Sequence, residues 1–192
     1  RPFYLRAGEV ALQGHALGRA EELLSAYLRL EPEVSEESIE ARLDLAGRVL
    51  IPRGKAERAL GESERALAEG ADSPSSKRAL HVRGMSLEAL GRWGEAAESY
   101  ASSLDLARRA GDAVAEVAAL VGLGVVAWRR SDPLGARGHY IEAIALLRGL
   151  GHEERAGQTA MNLALVEADL GNRDEARRLY GEALLAARAS DD

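Results

Sequence analysis

The chain has 192 residues, a net charge of −6, 46% apolar and only 4% aromatic residues. The apolar share excludes disorder, and the acidic balance disfavours a phosphate-binding surface, so no direct nucleic-acid binding by this segment is expected. Zero cysteines exclude disulfides and thiolate metal sites, and no run approaches the ~18 apolar residues of a membrane span; a cytoplasmic location without membrane contact is the expectation.

Arg1-Pro2-Phe3-Tyr4 is neither a signal peptide nor an initiator-Met start, as in a piece of a longer protein. A first helical hairpin is expected over Tyr4–Gln13 and Leu17–Leu30, ended by Glu31-Pro32. The acidic stretch Glu33–Glu37 leads to a helix over Ala41–Leu50, and Pro52 and Gly54 mark the turn to the next. Ser73-Pro74 opens a helix that ends near Leu90, Gly91 breaks it, and its partner runs from Trp93 to about Ala110. Asp112 then caps a helix reaching about Arg130. Asp132 caps another, with Pro133 at its first position, where a missing N–H costs nothing. That helix reaches about Leu150, and Gly151 ends it. The last pair covers Ala156–Leu170 and Arg173 to about Ala189. Asn172 stands as N-cap, with Glu175 three residues on in a reciprocal capping pattern.

A register of 40 residues runs through these elements. Ala96, Ala136 and Ala176 recur on it, as do Tyr100, Tyr140 and Tyr180, and the helix before each pair carries Gly84, Gly124 or Ala164. Upstream the register weakens: Ala56 and Leu60 fall 40 residues before Ala96 and Tyr100, and Ala71-Asp72 falls 40 before Gly111-Asp112, but Glu64 stands where Leu104, Ile144 and Leu184 follow later. The small residues let paired helices approach closely, and the aromatic fills the gap between one hairpin and the next. The expected fold is all-α, a right-handed superhelical solenoid of about five antiparallel helical hairpins. It forms a single domain over 1–192, with two degenerate hairpins in 1–72 and three well-formed repeats in 73–192.

These residues resemble tetratricopeptide (TPR) repeats, whose pattern asks for a small residue in helix A and a small-x3-aromatic element in helix B. Leu80, Leu120 and Ala160 stand where the family commonly has Trp. The 40-residue form, longer than the usual 34, is similar to repeats of large bacterial transcription regulators, kinesin light chains and spindle-orientation adaptors. The resemblance implies a non-catalytic scaffold that binds a protein or peptide partner in a concave groove lined by helix A. Transferred by register, the groove falls on Arg78, His81, Val82, Met85 and Glu88; on Val121, Gly122, Val125, Trp128 and Arg129; and on Gln158, Met161, Asn162, Leu165 and Asp169. The family's carboxylate clamp for chaperone tails needs Lys and Asn where His81, Met85 and Val121 stand, so that mode is disfavoured.

Enzyme signatures read as structure. Gly122-x-Gly124-x-x-Ala127 lies inside a helix, whereas a dinucleotide fingerprint needs a preceding strand. His15, His81, His139 and His152 lack metal-ligand spacing. Gly61-Glu62-Ser63-Glu64-Arg65 lacks the second glycine of a nucleophile elbow. No catalytic residue, metal or cofactor is expected. Two alternatives to the scaffold stay open. One is an inducer-sensing domain of a transcription regulator, with Arg78, Trp128, Arg129, Gln158 and Asn162 holding a small ligand. The other is a homodimer through the C-terminal hairpin, where Leu184, Leu185 and Ala187 lack a following repeat.

Overall fold

The computed structural model describes residues 2–31, 33–70 and 73–190. Among them there is no strand, and the fold is all-α: ten α-helices joined by short turns, plus one π-helical segment. Ala71-Asp72 and Pro32, which the register and the first turn invoke, lie outside the described residues. The chain forms two compact units, residues 1–103 and 104–192, and the division falls within helix α6 (Trp93–Ala110).

The first unit contains α1 (Pro2–Gln13), α2 (Leu17–Leu30), α3 (Glu36–Asp44), a π-helical turn (Leu45–Leu50), α4 (Ala56–Glu69) and α5 (Ser76–Ala89). Helix α3 starts five residues earlier than the sequence suggested. Its start is set by Ser35, whose Oγ accepts the Ser38 N–H at 3.1 Å while the Ser35 N–H donates to Ser38 Oγ at 3.0 Å. The helix then widens, the Ile51 N–H reaching the Ala46 carbonyl five positions back, and the segment closes at Gly54, φ 72°, with the Lys55 N–H on the Leu50 carbonyl. Ser73-Pro74 does not open α5; the helix begins at Ser76, after a turn closed by the Ser76 N–H on the Ser73 carbonyl. The core gathers Leu23, Leu24 and Tyr27 of α2 with Leu43, Leu45, Val49 and Leu50 of the α3–π segment.

The second unit contains α7 (Ala113–Arg129), α8 (Pro133–Gly149), α9 (Glu153–Asp169) and α10 (Arg173–Ser190), following the last turns of α6. Asp112 and Asp132 cap as expected, accepting N–H donors from Ala115 at 3.0 Å and Gly135 at 2.9 Å. The expected capping box at Asn172 is corrected: its Nδ2 donates to Glu167 Oε2 at 2.6 Å, and Glu175 pairs with Arg178. The core packs Val117 of α7 with Tyr140, Ile144 and Leu147 of α8 and with Ala160, Leu163 and Ala164 of α9.

From α5 onward the helices end alike, every 20 residues, at Gly91, Gly111, Ser131, Gly151 and Gly171, all with φ between 62° and 84°. The N–H of the following residue closes each end on the carbonyl five positions back, as Arg92 does on Leu87 and Asp132 on Ala127, both at 2.9 Å. This is a Schellman closure, in which a left-handed residue lets the last carbonyls find donors. Four of the five positions are glycine, and Ser131 adopts the same backbone without that freedom.

Candidate functional site

The fifteen expected groove residues divide between the two units. In the first unit all five lie on α5. Arg78 pairs with the Glu40 carboxylate and with Asp44 Oδ1 at 2.5 Å, which ties α5 to α3 and commits its charge there. Val82 is 4% exposed and belongs to the core, so its reading as a groove-surface residue is corrected. His81 packs on the Tyr100 ring with centroids 5.3 Å apart, and its Nδ1 finds no hydrogen-bond partner among the described residues. Burial, with Arg78 nearby, pushes its imidazole down to about 4. Glu88 accepts the Tyr100 hydroxyl at 2.8 Å; burial and this carboxylate hold the phenol well above its ordinary value. Met85 is half-buried.

In the second unit two of the expected positions, Trp128 and Asp169, meet. The indole Nε1–H of Trp128, in the last turn of α7, donates to Asp169 Oδ2 at 2.6 Å, in the last turn of α9. Val121, Val125 and Trp128 are half-buried and pack on the unit's core. Met161 and Leu165, one turn apart on α9, stand 50% and 41% exposed. Arg129 lies over the Trp128 ring, its guanidinium carbon 5.8 Å from the centroid. Gln158 is exposed and donates to Glu154 at 3.1 Å, and Asn162 is half-buried. Gly122 is buried and offers no side chain, so it is a spacer rather than a contact. The result is an apolar strip with a charged end.

The packing positions explain how the helices come close. Ala96 and Ala136 are fully buried, Ala164 likewise, and Ala176 is 4% exposed. A Cβ on Gly84 would stand 2.6 Å from the Tyr100 ring, and one on Gly124 would stand 2.6 Å from the Tyr140 ring. Each tyrosine therefore fills the notch left by the glycine of its own hairpin, and Tyr140 also joins the cluster formed with α9. Tyr180 departs from this pattern. Its hairpin carries Ala164 in place of glycine, and it is 40% exposed where Tyr100 and Tyr140 are 1%. Among the described residues its ring is not packed as those of Tyr100 and Tyr140 are. Leu184 and Leu185 on the same helix are 53% and 67% exposed.

Among the described residues, no group of three or more His, Asp or Glu is arranged to hold a metal. No helix among them is long and apolar enough to cross a membrane.

Residues 75–149 match the tetratricopeptide repeat family. No curated protein matches the chain. Among solved structures, the apo form of RapI is 19% identical with a TM-score of 0.84, over 99% of this chain and 71% of that one. The Rap conjugation gene regulator of the plasmid pLS20, in complex with the Phr* peptide, is 20% identical with a TM-score of 0.80, over 99% of this chain and 54% of that one. A candidate kinesin light chain of Podosopora anserina with nearly identical TPR-like repeats is 16% identical with a TM-score of 0.78, over 100% and 96%. The chain thus spans only about half the length of the pLS20 regulator. At these identities the likeness is one of fold: helical hairpins of the tetratricopeptide type.

Proposed function

We propose that the chain is a protein- or peptide-binding scaffold that works without catalysis, the repeat region of a larger bacterial regulatory protein acting in the cytoplasm. The observation that carries this reading is the strip on α7 and α9. Met161 and Leu165 stand exposed on one helix, and Val121, Val125 and Trp128 are half-buried on the other. The Trp128–Asp169 hydrogen bond links the two at one end. A strip of this kind suits an apolar anchor of a peptide, with Arg129 and Asp169 orienting its polar flank. The complex of the pLS20 Rap regulator with its peptide supports the class of ligand. A displayed peptide library selected on the intact chain tests the reading. Binders are expected to carry one or two large apolar anchors and to lose affinity at least about tenfold with Leu165→Glu. Binders indifferent to both Leu165→Glu and Met161→Glu would sink it.

A second reading, self-association through the C-terminal hairpin, rests on its own observation. Tyr180, Leu184 and Leu185 form an exposed apolar face on α10. Light scattering of the chain and of Leu184→Glu across concentration tests it; a monomer at every concentration rejects it.

A further inference from the structure

A cleft of about 690 Å³ opens in the first unit along α2, α3 and the start of α4. Six of its thirteen lining residues are cationic and three are acidic, in a chain whose net charge is −6. At its centre one carboxylate serves three cations. Glu21, whose side chain is 12% exposed, meets Arg53 Nε at 2.9 Å, Lys55 Nζ at 2.8 Å and Arg58 Nη1 at 2.5 Å. Glu62 and Glu69 answer two of the six cations, Glu62 binding Arg42 and, at 3.5 Å, Arg65, and Glu69 also binding Arg42; Glu22 binds Arg19, so the excess of positive charge is concentrated around Glu21.

Three cations meet one carboxylate, more than charge neutrality requires, and their side chains, 35%, 40% and 44% exposed, leave part of that positive charge facing the cleft. Several features permit the crowding. A Cβ on Gly18 would stand 3.3 Å from Arg53 Nη1, so the small residue leaves room for the guanidinium. Arg58 is held by Ser25 Oγ at 2.9 Å. Helix α4 starts at Ala56 without a side-chain cap, which adds the positive end of a helix beside Lys55 and Arg58. Lys55 foremost, with Arg58, holds the Glu21 carboxyl below its ordinary value, so the carboxylate stays charged and still leaves positive charge over.

We propose that this cleft binds a compact polyanion, a small molecule carrying phosphate or carboxylate groups, with Arg53, Lys55 and Arg58 as its ligands and Glu21 as the internal anion that organises them. The assignment is independent of the peptide-binding strip in the other unit.

Titration calorimetry of the whole chain at low salt, with inorganic triphosphate and with citrate as probes, tests it. One-site binding of at least one probe is expected, weakening as salt rises. Which probe binds tells phosphate from carboxylate chemistry. Arg58→Ala should weaken binding about tenfold. Glu21→Gln should tighten it, because it removes the competing anion, whereas a purely structural network predicts no gain. Arg177→Ala, on α10, should leave affinity unchanged. In the wild-type chain, amide shifts on titration should centre on residues 18–25 and 53–58, a readout that stands even if a variant fails to fold. Binding of neither probe up to roughly 10 mM, shifts centred elsewhere, or equal weakening by Arg177→Ala would each overturn the proposal.

Discussion

The ring of Tyr140 occupies the space where a Cβ on Gly124 would stand, its Cε1 2.6 Å from that point. Helix α7 therefore carries a glycine in mid-helix, at about 1 kcal/mol of intrinsic propensity, so that α8 can seat a fully buried aromatic. Gly124→Ala regains that propensity but forces ring and methyl apart, which in a close-packed site costs about 1–3 kcal/mol. A net loss of stability is expected in urea denaturation. Ala164→Gly, where the methyl is itself fully buried, should lose about 1 kcal/mol of propensity and about 0.8 kcal/mol of methyl burial, with no ring to push aside. Gly124→Ala at wild-type stability would refute the notch.

Ser131 closes α7 with φ 62°, the backbone that glycine adopts at the four equivalent positions. A residue with a Cβ pays roughly 1–2 kcal/mol there. Ser131→Gly removes the strain and raises unfolded-state entropy, so a net stabilisation of about 0.5–1 kcal/mol is expected. Thermal unfolding of the single variant reads it; a lower midpoint would contradict the strained assignment.

Protonation of His81 opposes the folded state. Its imidazole is held down to about 4, from 6.5, so the unfolded chain takes up a proton that the folded chain refuses. The stability this group contributes is complete above its unfolded value. It falls away as pH drops from 6.5 towards 4, by on the order of 3 kcal/mol over the whole window. His81→Leu should flatten that part of the stability profile. Denaturation midpoints at pH 7 and pH 4.5 in both proteins decide the matter, and equal slopes would reject it.

Glu167 on α9 is a carboxylate at 1% exposure, held by Arg137 Nε of α8 at 2.6 Å and by Asn172 Nδ2 beyond the helix end at 2.6 Å. Because the Arg137 side chain is 46% exposed, removing the acid strands a solvated rather than a buried cation. Glu167→Ala should therefore cost about 1–3 kcal/mol, less than the roughly 3–5 kcal/mol lost when a buried charge is left unpaired, with Glu167→Gln intermediate. Calorimetric melting of the two variants checks the order.

The paired helices were legible in the sequence because alanine and tyrosine repeat in one register and glycine breaks recur between them. Asp112 and Asp132 announced their caps directly. The start of α3 was missed because Ser35 finds its reciprocal partner in Ser38 rather than in the Glu or Gln of the usual pattern. The π-helical turn leaves no mark in composition, since a change from i→i+4 to i→i+5 bonding needs no particular residue. On the candidate face, the resemblance to tetratricopeptide repeats, carried along the 40-residue register, assigned Trp128 and Asp169 to one lining, and the two side chains meet. Arg78 could not be read this way: its partners Glu40 and Asp44 come from an irregular hairpin where the 40-residue register is weakest.

Five successive helix ends from Gly91 to Gly171 close by one hydrogen-bond scheme at equal intervals. Joints that are all alike carry no address. Nothing in them distinguishes a hairpin meeting its proper neighbour from one meeting a sister repeat, so swapped or shifted stacking in a crowded refolding mixture is restrained by what differs between repeats, such as the Arg137–Glu167 pair, the extra methyl of Ala164 and the serine at one joint.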